Sequence, residues 1–326
     1  MASQLTDSFQ ALKLVHLELP GHTIPKPLPP NQSRLSASND ALRQHGLPPR
    51  PDKENLPKEY AAWEHTVSRA LNFIRPTFTH LPIPQKEEYS GATNVPLKDD
   101  SIGSNYKFTQ VTGSWLVSRP SPQNWAFKEH YWLAKEFFAE TWIGIDDKNF
   151  RVGLAQNCTT SYHQDTEYIV YPWYQFFKDG KHHRYRIHGL AVRPGDLVRV
   201  YASRDHVSKQ SKVSFYNESS ATYSSFFIDD VPLKGDKAFW IVADPYPKKV
   251  DPTLSYLGVT NFFDCYTNQV GADKMGEDVD THSGLNGAAV LNIVEAEGTT
   301  STASVREDDI LTITSEVREY REKVEP

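Results

Sequence analysis

Residues 141–156 read TWIGIDDKNFRVGLAQ. Trp142–Ile145 is a short run of β-favouring residues, DDKN breaks it, and the run that follows ends in Gln156. Working outward, the same alternation of Val-, Ile-, Tyr-, Phe- and Trp-rich runs with Gly, Asp, Asn and Pro breaks continues through the chain beyond residue 105. It gives Lys107–Val117, Glu167–Phe177, Leu197–Ala202, Lys212–Tyr216, Ser224–Ile228, Phe239–Val242, Val259–Phe263, Ala288–Val294 and Ile310–Thr314. So many short strands joined by short turns specify an all-β fold, an antiparallel sandwich or barrel.

The remainder is organised differently. Residues 18–56 are rich in proline and polar groups, too poor in apolar surface to offset the entropy of ordering, and read as an extended arm or linker. From Lys58 to Ile74 the residues Tyr60, Trp63, Val67, Leu71 and Ile74 recur at three- and four-residue intervals until Pro76, which predicts an amphipathic helix. Gln123–Glu140 also has helical spacing, either as a core-packing helix or as a lid over a cleft. The expected partition is an arm over 1–56, a helix and connection over 57–87, the sandwich over 88–316 and a charged tail over 317–326. No internal repeat is visible.

Composition narrows the function classes. The chain has 326 residues, with 35 Lys and Arg against 41 Asp and Glu for a net charge of −6, and no long single-sign block. Neither nucleic acid nor an acidic membrane surface is expected as a partner. The first residues lack the basic and apolar regions of a secretory signal, and no stretch approaches the roughly 18 apolar residues of a membrane span. The expectation is a soluble, cytoplasmic protein. Cys158 and Cys265 are too few for a disulfide framework or a cysteine zinc site, and free thiols are expected.

The order of several motifs resembles the eqolisin, or glutamic peptidase, family, whose fold is a concanavalin A-like antiparallel β-sandwich. In residues 141–156, Trp142, Asp146 and Gln156 fall on the family's Trp, Gly-Ile-Asp and catalytic Gln positions. EYSGATNV (88–95), VTGSWLVSRP (111–120), YPWYQFF (171–177), PGDLVRVYA (194–202), AFWIVADP (238–245) and LGVTNFFDC (257–265) follow in the family's order. The resemblance implies that Trp173 lies on the floor of a peptide cleft. It also implies that the Gln156 amide, offering both a donor and an acceptor, steadies an oxyanion.

The departures point away from proteolysis. Ala243 stands where the resemblance places the catalytic Glu, Gln175 replaces a Glu on the floor strand, and Phe239 replaces the Glu before Trp240. A general base that activates water contributes about 10²–10⁴ in rate, and alanine supplies none of it. Asp244 would fill the gap only if a bulge turned it inward, since strand neighbours point to opposite faces.

The cleft expected from the resemblance is lined by Trp142, Tyr171, Trp173, Gln175, Phe177, Trp240 and Ala243. Gln156, Asp146 and Asp244 are its candidate acid–base or orienting groups. An aromatic pocket with a few polar groups suits a hydrophobic organic small molecule. The leading expectation is therefore a repurposed, non-proteolytic protein that binds such a ligand and cyclises, isomerises or eliminates it without a cofactor. An acid endopeptidase with a substitute carboxylate and a lectin-like or peptide-binding module are the alternatives. His163, His182, His183, His188 and His206 lack a metal-ligand spacing, and no metal is expected. Ser90 and Cys158 lack a nucleophile's setting, no phosphate-cradling glycine motif is present, and the oligomeric state is left open.

Overall fold

The computed structural model describes residues 19–96, 98–99, 104–121, 135–161, 164–205, 208–245, 257–271, 281–295 and 298–315. Its strands, in chain order, are β1 (His22–Thr23), β2 (Asn72–Phe73), β3 (Thr77–His80), β4 (Glu88–Asn94), β5 (Lys98–Asp99), β6 (Ser104–Leu116) and β7 (Lys135–Phe137). Then come β8 (Glu140–Ile145), β9 (Phe150–Ser161), β10 (Gln164–Lys178), β11 (Lys181–His188), β12 (Leu197–Arg204), β13 (Gln210–Asn217) and β14 (Thr222–Asp229). The last are β15 (Ala238–Asp244), β16 (Val259–Gly271), β17 (Thr281–Ser283), β18 (Ala289–Leu291), β19 (Ile293–Glu295), β20 (Gly298–Glu307) and β21 (Ile310–Ser315). Helices α1 (Asn39–Gln44) and α2 (Pro57–Ser68) precede most of them.

These strands form two sheets packed as an antiparallel sandwich. One runs β1-β14-β13-β12-β6-β16-β21-β20-β19, and the other β18-β4-β15-β8-β9-β10-β11-β3, with shorter strands added to each. We call them the β12 sheet and the β9 sheet. Between them lies the main core, in which Ile143, Val152, Leu154, Tyr174 and Trp240 of the β9 sheet meet Val111, Trp115, Val200 and Phe215 of the β12 sheet. The period-2 alternation of a strand puts every second residue here and its neighbours on the outer faces.

Both outer faces are also packed. On the β12 sheet, Tyr201, Tyr216 and Tyr223 form a second apolar cluster with Leu28, Leu42 and Leu47 from the proline-rich segment and Trp63 and Val67 from α2. The segment read as an arm or linker thus lies on the sandwich, where Leu28, Leu42 and Leu47, spaced among prolines that fix the backbone in advance, are buried. Lys212 Nζ and Ser214 Oγ on β13 donate to the carbonyls of Leu47 and Gly46 at 2.7 and 3.0 Å, which pins the segment down.

Helix α2 is shorter than its spacing predicts. Arg69 is extended, and the backbone of residues 72–74 is taken by β14, with Asn72 N and Ile74 N donating to Ala221 O and Tyr223 O. The expected strand Ala288–Val294 divides at Asn292 into β18 of one sheet and β19 of the other. The helix expected over Gln123–Glu140 is corrected at its end. Lys135–Phe137 pairs with β9 and Glu140 opens β8, because strand pairing satisfies their backbone groups. Residues 123–134 of that stretch lie outside the described residues. No helix among the described residues is long and apolar enough to cross a membrane.

Candidate functional site

Antiparallel neighbours share a face, so the register of the β9 sheet lays out its outer surface row by row. Tyr89, Ala243, Glu140, Ala155 and Tyr171 form one row across β4, β15, β8, β9 and β10. Ile241, Trp142, Gly153, Trp173 and Arg186 form the next, and Phe239, Gly144, Arg151, Gln175 and Arg184 the third. Trp142, Tyr171, Trp173, Phe239 and Ala243 make an apolar cluster of their own, against which Leu81, Tyr89 and Leu291 pack. Five of the ten candidate site residues, Trp142, Tyr171, Trp173, Gln175 and Ala243, therefore share one surface with Phe239. By alternation along β10, Phe177 belongs to it as well, its ring beside His182 at 5.0 Å.

Glycine is required in the middle of this surface. A Cβ on Gly153 would lie 2.2 Å from the Thr141 carbonyl oxygen and 2.5 Å from Trp142 Cβ. With Gly153 and Ala155 bare, side chains from β8, β10 and β11 reach over β9. Three arginines use that room. Arg151 stacks on Trp142 at 4.2 Å, Arg184 on Trp173 at 4.4 Å and Arg186 on Tyr171 at 4.5 Å, each a diagonal cross-strand pair.

Two of the three arginines are ion-paired. Arg151 donates to Glu87 and Asp147, both at 2.7 Å, and Arg184 forms an ion pair with Glu140. Burial pushes the Glu140 carboxyl above the usual range, and the Arg184 guanidinium opposes that rise. Trp142 and Trp173 are fully buried, yet neither indole Nε1 has a hydrogen-bond partner, and the Gln175 Oε1 beside them has none either. Unpaired buried polar atoms are expensive, and these, with Arg186 Nε, which has no partner either, mark the surface as chemically incomplete.

The other predicted residues lie elsewhere. Gln156 is paired with Val170 and turns into the space between the sheets; its Oε1 accepts from Thr141 Oγ1 at 2.7 Å and its Nε2 donates to Ser118 O at 2.9 Å. Trp240 belongs to the inter-sheet core, with Nε1 donating to Thr112 O at 2.8 Å. Both therefore leave the single cleft expected for them. The physical reason is alternation: Trp142 is paired with Gly153, and Gln156, three residues on, takes the opposite face, as does Trp240 next to Ile241.

Asp146 sits in a left-handed conformation (φ 56°), just after β8. Its carboxylate accepts the backbone N–H groups of Lys234 and Gly235 on one oxygen and of Asp236 and Lys237 on the other, at 2.6–3.3 Å. That ring of donors holds the loop entering β15. Strand β15 keeps its register with β4 through Ala243 and Asp244, so no bulge turns Asp244 onto the aromatic face.

Of the histidines, His182, His183 and His188 lie on β11, and His188 Nε2 meets Thr79 Oγ1 at 2.7 Å. His163 and His206 fall outside the described residues. Cys158 and Cys265 are buried, and no metal-holding cluster occurs among the described residues. Sequence reasoning missed Glu140, Arg151, Arg184 and Arg186. Extending the alternation of Trp142 and Trp173 to adjacent strands would have found them, because each lies in register with an outward residue.

The architecture defines a two-sheet antiparallel sandwich whose β9 sheet carries four of the seven motifs quoted above, those on β4, β8–β9, β10 and β15, and whose β12 sheet carries the other three. The model of the Peptidase A4 family matches residues 100–315, and the chain belongs to that family, the eqolisins. No curated protein matches it significantly. Among solved structures, it is similar to the enzymatically active domain of tailspike protein 2 from bacteriophage CBA120, at 9% identity and TM-score 0.25, over 59% of this chain and 30% of that one. The full-length tailspike protein 2 of an Escherichia coli bacteriophage gives 10% identity and TM-score 0.22, over 60% and 26%. The binding domain of botulinum neurotoxin serotype G gives 6% identity and TM-score 0.14, over 74% of each chain. The chain spans less than a third of either tailspike chain.

Proposed function

We propose that this eqolisin-family protein does not cut peptides but holds an organic small molecule against the outer face of the β9 sheet. The observation that carries the reading is the row containing Ala243. A methyl group occupies the place where the resemblance puts the water-activating carboxylate, and its cross-strand neighbour Glu140 is ion-paired with Arg184. The Gln156 amide is spent on Thr141 and Ser118 on the opposite face. What remains is an aromatic surface with two indole N–H donors and one amide acceptor unpaired. A ligand offering an acceptor and a donor completes these atoms.

Such a site acts by orientation and hydrogen bonding, which suits cyclisation, isomerisation or elimination. Because both indoles are buried, ligand entry displaces the cover formed by Leu81, Tyr89 and Leu291. Native mass spectrometry of the purified protein, with Trp142→Phe and Trp173→Phe as comparisons, tests the proposal. A stoichiometric organic adduct lost in the variants is expected. The absence of any adduct, together with acid-dependent cleavage of denatured protein, would overturn it.

A second reading rests on Glu140 itself. It faces the same way as Ala243 from the adjacent strand, and burial keeps it protonated further up the pH scale than an ordinary carboxyl. An acid endopeptidase using Glu140 as its substitute carboxylate would lose all cleavage in Glu140→Gln.

A further inference from the structure

The β12 sheet carries a second feature, unrelated to the family's catalytic positions. A cavity of about 690 Å³ lies between its outer face and the segment formed by residues 39–63. This falls within the roughly 300–1,000 Å³ of ligand sites. The floor follows from register. Tyr201, Thr112 and Tyr266 stand side by side on β12, β6 and β16, and Gln110 and Asn268 form the next row. Thr112 is small, so the two tyrosines flank a trough. The roof brings Trp63, Arg50 and the amides of Asn39 and Asn55.

The charged groups lining this space are three arginines, Arg43, Arg50 and Arg199, and two carboxylates, Asp52 and Glu59; Asp52 accepts from Asn55 Nδ2 at 2.6 Å and from the backbone of Glu54 and Asn55. Arg199 is held by Glu218 at 2.7 Å and by Asp264 at 3.0 Å, and Arg43 by Asp40 at 3.3 Å. Arg50 donates to the Leu35 and Ala37 carbonyls and lies over the Trp63 ring at 5.3 Å. The Tyr266 hydroxyl donates to Asp309 at 2.8 Å. The surface offered to a ligand therefore combines amides, hydroxyls and aromatic rings with charges of both signs that nearly balance. A purely apolar ligand would bury those polar atoms unpaired, and an ion would meet charges that are already matched.

We infer that the cavity binds a neutral, polyhydroxylated ligand, a short oligosaccharide. Its C–H faces pack on Tyr201, Tyr266 and Trp63, while its hydroxyls exchange hydrogen bonds with Gln110 and Asn268. The site is distinct from the aromatic face of the β9 sheet, and the full core of the sandwich separates the two.

The test is isothermal titration of the full chain with maltotriose, cellotriose, xylotriose and chitotriose, and with trigalacturonate as a charged probe. Saturable binding of at least one neutral trisaccharide is expected. Gln110→Ala and Asn268→Ala, both partly exposed to the cavity or at its floor, should each weaken it about tenfold, the loss of roughly one well-made hydrogen bond. Thermal melts establish that each variant is folded, and Thr112→Leu, which fills the trough, supplies a third block. Failure of all four neutral sugars to bind would overturn the inference, as would binding of trigalacturonate alone or affinity untouched by all three substitutions. None of these outcomes bears on peptide cleavage or on the adduct assay, so this inference and the proposed function fail separately.

Discussion

Ala243 and Glu140 are direct cross-strand neighbours on the outer face of the β9 sheet, both buried. A carboxylate is thus present beside the position where the family resemblance expects one, displaced by a strand and held by Arg184. Restoring a Glu at 243 would set two carboxylates side by side in a dry environment. Ala243→Glu is expected to lower stability by about 1–3 kcal/mol, read as a reduced denaturation midpoint, with part of the loss recovered in acid as one carboxyl takes a proton. It is also expected to gain no peptidase activity, because the Gln156 amide lies on the other face.

Gly153 should tolerate no side chain. The Cβ of Gly153→Ala collides with backbone and with the base of the Trp142 side chain, so β8 and β9 must separate. A destabilisation of about 2–4 kcal/mol in urea titration is expected. A neutral effect would show that the close approach of the two strands is not needed.

Asp146 has the position of a catalytic motif residue but the contacts of a clasp. Asp146→Ala strips the acceptor from four backbone N–H groups and should cost about 2 kcal/mol or more. Asp146→Asn, which keeps one carbonyl oxygen, should recover part of that in thermal melts. An Asn variant as stable as the wild type, with altered ligand turnover, would return Asp146 to a chemical role.

Burial lowers the Lys212 ammonium from 10.5 to about 7 where it donates to Leu47 O. The folded protein holds this proton less tightly than the unfolded chain. Stability therefore rises with pH across the window from about 7 to 10.5, and the full penalty of the buried charge applies below it. Lys212→Met should flatten that rise and stabilise the protein by about 1–3 kcal/mol at mildly acidic pH, measured by urea titration at several pH values. An unchanged pH profile would place the origin of the effect elsewhere.

Much of the fold was legible because strand signals are local. Each run from Lys107–Val117 to Ile310–Thr314 contains or abuts an observed strand, and the order of motifs around Trp142 and Trp173 pointed to the family. The site was less legible. The expected cleft treated Gln156 and Trp240 as companions of Trp142, although each is separated from the aromatic face by the parity of the β-pleat, which single residues do not reveal without the pairing register. Glu140 closes a stretch whose aromatic spacing reads as a helix, and Arg184 lies inside the polar, histidine-rich run of β11. The packing of the proline-rich segment was invisible for another reason: its burial depends on a partner surface, Tyr201, Tyr216 and Tyr223, distant in sequence.

The central claim, a family member whose cutting chemistry is gone, is tested most directly by digestion. Reduced, denatured serum albumin is incubated with the pure protein from strongly acidic to neutral pH, and peptides are counted by mass spectrometry for wild type and Glu140→Gln. No cleavage above the background of a protein-free control, in either protein at any pH, is the predicted result. Acid-dependent peptides released by the wild type and abolished in Glu140→Gln would contradict it.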